Sequence, residues 1–107
     1  MNVRASIILI VQSRNVVMEI IRSNERKRKK RILVVDDVPD ITYILKIGLE
    51  DTGLFKVDTF NDPELALSVF KPGNYDFLLI DIRMPKMNGY EFYDKIRAID
   101  SKVRPVS

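Results

Sequence analysis

Three aspartates stand at the ends of apolar runs. Asp36 and Asp37 close the stretch "RILVVDD", and Asp81 follows Phe77 to Ile80 in "DFLLIDIRMPKMNG". An apolar run this short, bounded by turn formers, reads as a strand buried on both faces, as in a parallel sheet. A lone carboxylate there either lies past the strand end in water or shares a site with other groups. The chain contains no His and no Cys, which removes imidazole bases and ligands, thiolate sites and any Ser-His-Asp arrangement. Its chemistry must rest on carboxylates, hydroxyls, Lys and Arg. If Asp36, Asp37 and Asp81 converge, like charges raise one another's pKa unless a cation intervenes. Oxygen ligands alone select a hard, octahedral cation; Mg²⁺ fits, Mn²⁺ can substitute and Zn²⁺ is disfavoured. The competing reading is three solvent-facing aspartates that serve as turn or cap residues.

The elements that must position these residues are legible in the remainder. A strand is expected at about residues 31–35. In "VPDITYILKIGLEDTG", Pro39 is an early helical residue, Ile41, Ile44, Leu45 and Leu49 are spaced for one buried face, and Gly53 is a stop. "FKVDTF" reads as a second strand over 55–60. "NDPELALSVF" starts a helix with Asp62 as cap and Pro63 in the first turn. After "KPGN" a third strand is expected over 75–80. The helix in "NGYEFYDKIRAID" then takes Tyr90, Phe92, Tyr93, Ile96 and Ile99 as its apolar content, and a further strand begins in "KVRPVS". Strands alternating with helices define an α/β fold: a doubly wound parallel sheet with helices on both faces. Sites in such sheets form at the carboxyl ends of the strands, where strand order reverses. Adjacency of the first and third strands would bring the three aspartates together.

A length of 107 residues allows one domain. The net charge of +3 is concentrated in "ERKRKKR", residues 25–31. A nucleic-acid contact or a targeting patch competes there with a solvated linker; the linker is favoured because no aromatic residue lies among the charges to stack on bases. Ahead of it, "MNVRASIILIVQSRNVVMEIIRSN" holds two apolar clusters. They are too short and broken to span a bilayer, and no signal-peptide cleavage pattern follows them. Ile7, Ile10, Val17 and Ile21 fall near one helical face, interrupted by Arg14, while "IILIV" pairs equally well as a strand. A start at Met18 instead of Met1 is a third alternative. The absence of Cys fits a reducing compartment such as the cytoplasm.

The acidic pair after "RILVV", Asp81 in "LLIDIRMP", and the following "MPKMNGYEF" together resemble the receiver domain of two-component response regulators, from about Arg31 to the C-terminus. The resemblance implies a flavodoxin-like, CheY-like fold, incomplete at the C-terminus, over residues 31–107, with residues 1–30 as an N-terminal extension and basic linker. It implies that Asp81 is the phosphoacceptor, taking a phosphoryl group from the phosphohistidine of a sensor kinase or phosphotransfer protein. It also implies that Asp37 and Asp81 bind Mg²⁺ directly, that the backbone carbonyl of Arg83 is another ligand, and that Asp36 acts directly or through water. Pro85 and Gly89 would shape the loop and let the next helix start. No independent catalytic turnover is implied, and with no output domain in the chain neither promoter binding nor other nucleic-acid binding is expected.

Two departures bear on this. Val38 stands where the family often has a third acid. Family members continue through a strand carrying Ser or Thr, a helix, a strand carrying Lys and a final helix, whereas this sequence ends at Ser107, just short of the hydroxyl position. Neither Lys86 nor Lys102 falls at the family's Lys position. In a strand order of 2-1-3-4-5 the third strand is then left near an open edge, through which the chain would self-associate. Residues 5–22 fill part of that gap or are a stray extension. The alternative function is a non-phosphorylated fragment acting only as a protein-interaction module. A haloacid-dehalogenase-like phosphatase would place its nucleophile in a D-x-D motif after the first strand, and "DDV" and "DIR" provide none.

Overall fold

The computed structural model describes residues 8–13 and 28–106. Its centre is a strand whose two faces are both apolar. Ile32 and Val34 point to one side, Leu33 and Val35 to the other, and none is more than 3% exposed. In chain order the elements are β1 (Ile8–Ser13), β2 (Lys30–Val35), α1 (Pro39–Asp51), β3 (Phe55–Phe60), α2 (Pro63–Val69), β4 (Phe77–Asp81), α3 (Gly89–Ile99) and β5 (Val103–Pro105). β2 pairs in parallel with β3 on one side and β4 on the other. From β2 the chain moves outward to β3 and then crosses back to β4. With right-handed crossovers this reversal puts the connecting helices on opposite faces. Leu45 and Leu49 of α1 accordingly pack on Ile32, Val34 and Val57. Ala66, Phe92 and Ile96 of α2 and α3 join Leu33, Val35, Leu78 and Ile80 in the larger core.

The sheet is mixed, with order β3-β2-β4-β1-β5. The expected parallel pairing holds for β2, β3 and β4. β1, however, runs antiparallel to β4, from Ile8 opposite Asp81 to Gln12 opposite Phe77, and antiparallel to β5 on its other side. The edge of the third strand of the α/β unit, expected to be open, is therefore closed by the chain itself. Ile8–Ser13, expected in an extension outside the domain, belongs to the sheet. Lys30, expected to end a basic linker, begins β2 one residue ahead of the strand expected from Arg31. Residues 5–7 and 14–22, the rest of the segment expected to fill the gap, lie outside the described residues.

Two local expectations are corrected. The buried stripe of α1 runs through Thr42, Leu45 and Leu49, leaving Ile44 67% exposed alongside Tyr43 and Ile47, because the helix packs mainly over β3 and the neighbouring β2. The third α/β strand starts at Phe77, not Tyr75. Asp76 instead clasps the start of β2: its carboxylate accepts from the Arg31 N–H at 2.8 Å, and its own N–H donates to the Arg31 carbonyl at 2.8 Å. The helix starts follow the sequence. Asp62 accepts from the Glu64 N–H, and Asn88 with Glu91 forms a reciprocal capping box.

Candidate functional site

β2 and β4 are neighbours, so the residues that end them share the switch point of the sheet. Asp81 is the last residue of β4 and is 2% exposed, as is Asp36 immediately after β2; neither is a solvent-facing loop residue. Asp37 is half-buried beside them. One carboxylate oxygen from each of Asp36, Asp37 and Asp81 lies within 4.8 Å of the others. Of the two readings the sequence leaves open, convergence or three solvent-facing aspartates, the fold selects the first and brings all three to one small volume.

The two buried carboxylates are held by local backbone. Asp36 Oδ1 accepts from the Val38 N–H at 2.9 Å, and Asp81 Oδ1 accepts from the Arg83 N–H at 3.0 Å. Such turns, in which an aspartate accepts from the backbone two residues on, fix the side chain's orientation. Arg83, whose carbonyl is an expected ligand, thus sits in the turn that Asp81 organises. Asp36 Oδ2 is buried and has no hydrogen-bond partner. A buried carboxylate oxygen without a donor is costly, and a cation shared with Asp37 and Asp81 would satisfy it. The oxygen-only donor set and this orphaned atom together fit a hard divalent cation.

Asn61 was not singled out from the sequence. Its side-chain amide donates to the Asp36 carbonyl at 2.8 Å and to Thr42 Oγ1 at 3.0 Å, while Thr42 donates to the Pro39 carbonyl. It ties the loop after β3 to the loop after β2 and to α1, holding the acidic pair in place. Nothing local marks it, because its partners are 25 and 19 residues away.

The loop after β4 is anchored on the other side. Met84 and Met87 are 7% and 9% exposed and enter the larger core. Lys86 points away, to Asp62 Oδ2 at 3.7 Å, and so links this loop to the start of α2. The Gly89 N–H donates to the Ile82 carbonyl at 2.9 Å. A Cβ on Gly89 would meet the Asp81 carbonyl oxygen at 2.7 Å and Ile82 Cα at 2.8 Å. The start of α3 is seated directly on the backbone of Asp81, which only glycine permits. Ser107 lies outside the described residues.

An acidic triad, with Asp36 and Asp81 buried and Asp37 half-buried, at the carboxyl ends of adjacent parallel strands in a doubly wound sheet defines an acidic site of the flavodoxin-like class. The family described as the response regulator receiver domain matches residues 32–106. The chain belongs to that family. It is 35% identical over 77 residues to a probable transcriptional regulator ycf27 of Cyanidium caldarium, covering 72% of this chain and 30% of the relative. To the chemotaxis protein CheY of Pseudomonas aeruginosa it is 37% identical over 68 residues, covering 64% of this chain and 55% of the relative. Among solved structures it is similar to the response regulator TrrA of Thermotoga maritima in complex with Mg²⁺ and BeF, with 44% identity, a TM-score of 0.61, and 67% of this chain and 62% of that one covered. TrrA is also known in complex with the histidine kinase ThkA. The match therefore spans about a third of the transcriptional regulator and about half of the chemotaxis protein. Among the described residues no helix is long and apolar enough to cross a membrane.

Proposed function

We propose that this chain is a phosphoacceptor module of a two-component phosphorelay, with Asp81 as the acceptor. The observation that carries this reading is the meeting of Asp36, Asp37 and Asp81 oxygens within 4.8 Å around a carboxylate that ends a buried strand. Asp81 is a nucleophile when ionised, and Arg83 N–H on Oδ1 orients it so that the other oxygen can attack phosphorus. The phosphorus–nitrogen bond of a donor phosphohistidine breaks, and the imidazole leaves with that electron pair. Mg²⁺, held by Asp36, Asp37, Asp81 and the Arg83 carbonyl, would neutralise the phosphoryl oxygens. The protein's own contribution is positioning. Asn61 holds Asp36, Gly89 lets α3 close on Asp81, and Met84 and Met87 keep the loop between them in the core. One phosphoryl group is accepted per chain, so the reading includes no independent turnover. The donor is a sensor histidine kinase or phosphotransfer protein, in line with the TrrA–ThkA complex.

Beryllofluoride, an acyl-phosphate mimic, tests the site. Fluorine NMR of the chain with Mg²⁺ is expected to show bound beryllofluoride that disappears in Asp81→Asn, whose amide keeps the shape but loses the anionic oxygen. Binding that survives this substitution would place the acceptor elsewhere.

A further inference from the structure

The strand next to Asp81 is held by pairing and packing, and this gives the chain a second binding surface independent of phosphoryl chemistry. β1 lies between β4 and β5, antiparallel to both. Its side chains alternate. Val11 is fully buried and Leu9 packs on the larger core with Leu78 and Ile80, while Ile10 on the opposite face is 46% exposed. The strand thus inserts two apolar side chains, two residues apart, over the most buried part of β4, where Leu78 is 1% and Ile80 0% exposed. With β1 removed, one side of β4 would present unpaired N–H and C=O groups beside a hole left by Leu9 and Val11.

No disulfide fixes β1 in that slot, and the length of chain to β2 does not restrain it there. There is no Cys. β1 ends at the Phe77 end of β4, and β2 starts at that same end of the sheet. Two strand spacings, about 10 Å, separate them, a span that about three extended residues cross. Residues 14–29 connect the two strands, several times what the span requires. Among the described residues the register of β1 rests on its pairing with β4 and on the burial of Leu9 and Val11, and β5 closes its outer side with three residues, of which Val103 is buried.

We infer that the slot between β4 and β5 is a strand-accepting site, filled within one molecule by Ile8–Ser13 and able to take the same segment from a second copy of this chain. Entry is antiparallel to β4, with Leu9 opposite Ile80 and Val11 opposite Leu78. The tethered strand wins at ordinary concentrations because its effective concentration is in the millimolar range. A copy whose own β1 is out is the receptor. This is strand addition at a sheet edge, with main-chain bonds giving affinity and the two alternate side chains giving specificity.

The test uses full-length chains and a labelled peptide of residues 4–14. Val11→Asp puts a carboxylate into a fully buried position and ejects β1; Ile10→Asp alters the exposed face of the same strand. The Val11→Asp chain is expected to stay monomeric by light scattering, because the displaced strand of every copy carries the same carboxylate and fits no slot. It is also expected to bind the unmodified peptide, by fluorescence anisotropy, at least about a hundredfold more tightly than the wild-type chain does. A peptide carrying Ile10→Asp should bind comparably, and one carrying Val11→Asp at least about thirtyfold more weakly. If the Val11→Asp chain is unfolded alone, hydrogen exchange should show the unmodified peptide restoring protection to β4. Three results would each overturn the inference: a folded Val11→Asp chain that takes no unmodified peptide, one that stays unfolded at saturating peptide, or peptide affinities insensitive to position 11.

Discussion

Gly89 stands so close to Asp81 that a Cβ would fall 2.7 Å from the Asp81 carbonyl oxygen and 2.8 Å from Ile82 Cα. Both obstacles are backbone, so no side-chain rotation relieves them. The first turn of α3 and the end of β4 are a single packed unit, and the geometry of the candidate acceptor depends on it.

Gly89→Ala should therefore force α3 away from β4 and destabilise the chain by about 1–3 kcal/mol, the usual cost of overpacking. Gly48, on the exposed side of α1, has nothing within 4 Å of its would-be Cβ. Gly48→Ala should stabilise by about 0.5–1 kcal/mol through helix propensity. Urea unfolding of the two variants measures the contrast. Equal effects of the same sign would show that the close approach at Gly89 does not exist in solution.

Asp37→Ala should weaken Mg²⁺ binding by tenfold or more, about 1.4 kcal/mol or above, while the fold survives, since Asp37 is only half-buried. Without metal the variant should be slightly more stable than the parent, because one of three crowded like charges is gone. Isothermal calorimetry and thermal unfolding read the two effects. Unchanged Mg²⁺ affinity would dissolve the shared site into three independent aspartates.

Tyr75 offers a pH test away from the acidic site. Burial, helped by the hydrogen bond its hydroxyl donates to Asp58 at 2.7 Å, pushes its pKa from 10.0 up to about 12. The folded state thus favours the protonated phenol. That stabilisation is complete below pH 10 and is lost as pH rises towards 12. Tyr75→Phe removes one hydrogen bond, worth about 1 kcal/mol, and leaves Asp58 its ion pair with Arg31 at 3.2 Å. The stability gap between parent and variant should be constant below pH 10 and close over pH 10 to 12. A gap that widens in that window would contradict the hydrogen-bonded arrangement.

Asn61→Ala should lower Mg²⁺ affinity although Asn61 is not an expected ligand. Removing its amide leaves the Asp36 carbonyl and Thr42 Oγ1 without their shared donor, and the acidic pair loses its brace. A loss of stability of about 1–2 kcal/mol should accompany the weaker binding. Loss of stability with unaltered Mg²⁺ affinity would confine Asn61 to the fold.

What the sequence made legible is what local chemistry determines. "FKVDTF" is a strand over the expected residues, Asp62 caps α2 through its own side chain, and apolar runs ending in aspartate mark β2 and β4. The parallel arrangement then follows from alternation of strands and helices, and with it the meeting of Asp36, Asp37 and Asp81. The place of β1 beside β4 follows only as one of two alternatives, the other being a stray extension. "IILIV" is apolar at every position and carries no period, so neither its faces nor its partners are encoded locally; insertion beside β4 is decided by an edge some 70 residues away, as the pairing of Ile8 with Asp81 shows. The exposure of Ile44 escapes for a related reason. Helical spacing gives a face, whereas the width of sheet available to cover it is a property of the whole fold. Asn61 and the Tyr75–Asp58 bond are likewise long-range polar contacts with no periodic signature.

The central claim is that Asp81 is a Mg²⁺-dependent phosphoacceptor. Its most direct test is intact-mass and fragment analysis of the full chain after incubation with an acyl-phosphate donor, with and without Mg²⁺. The account predicts one added phosphoryl group per chain, dependent on Mg²⁺ and located on Asp81. A group on Thr59 or Ser107, or equal modification when the metal is chelated, would contradict it.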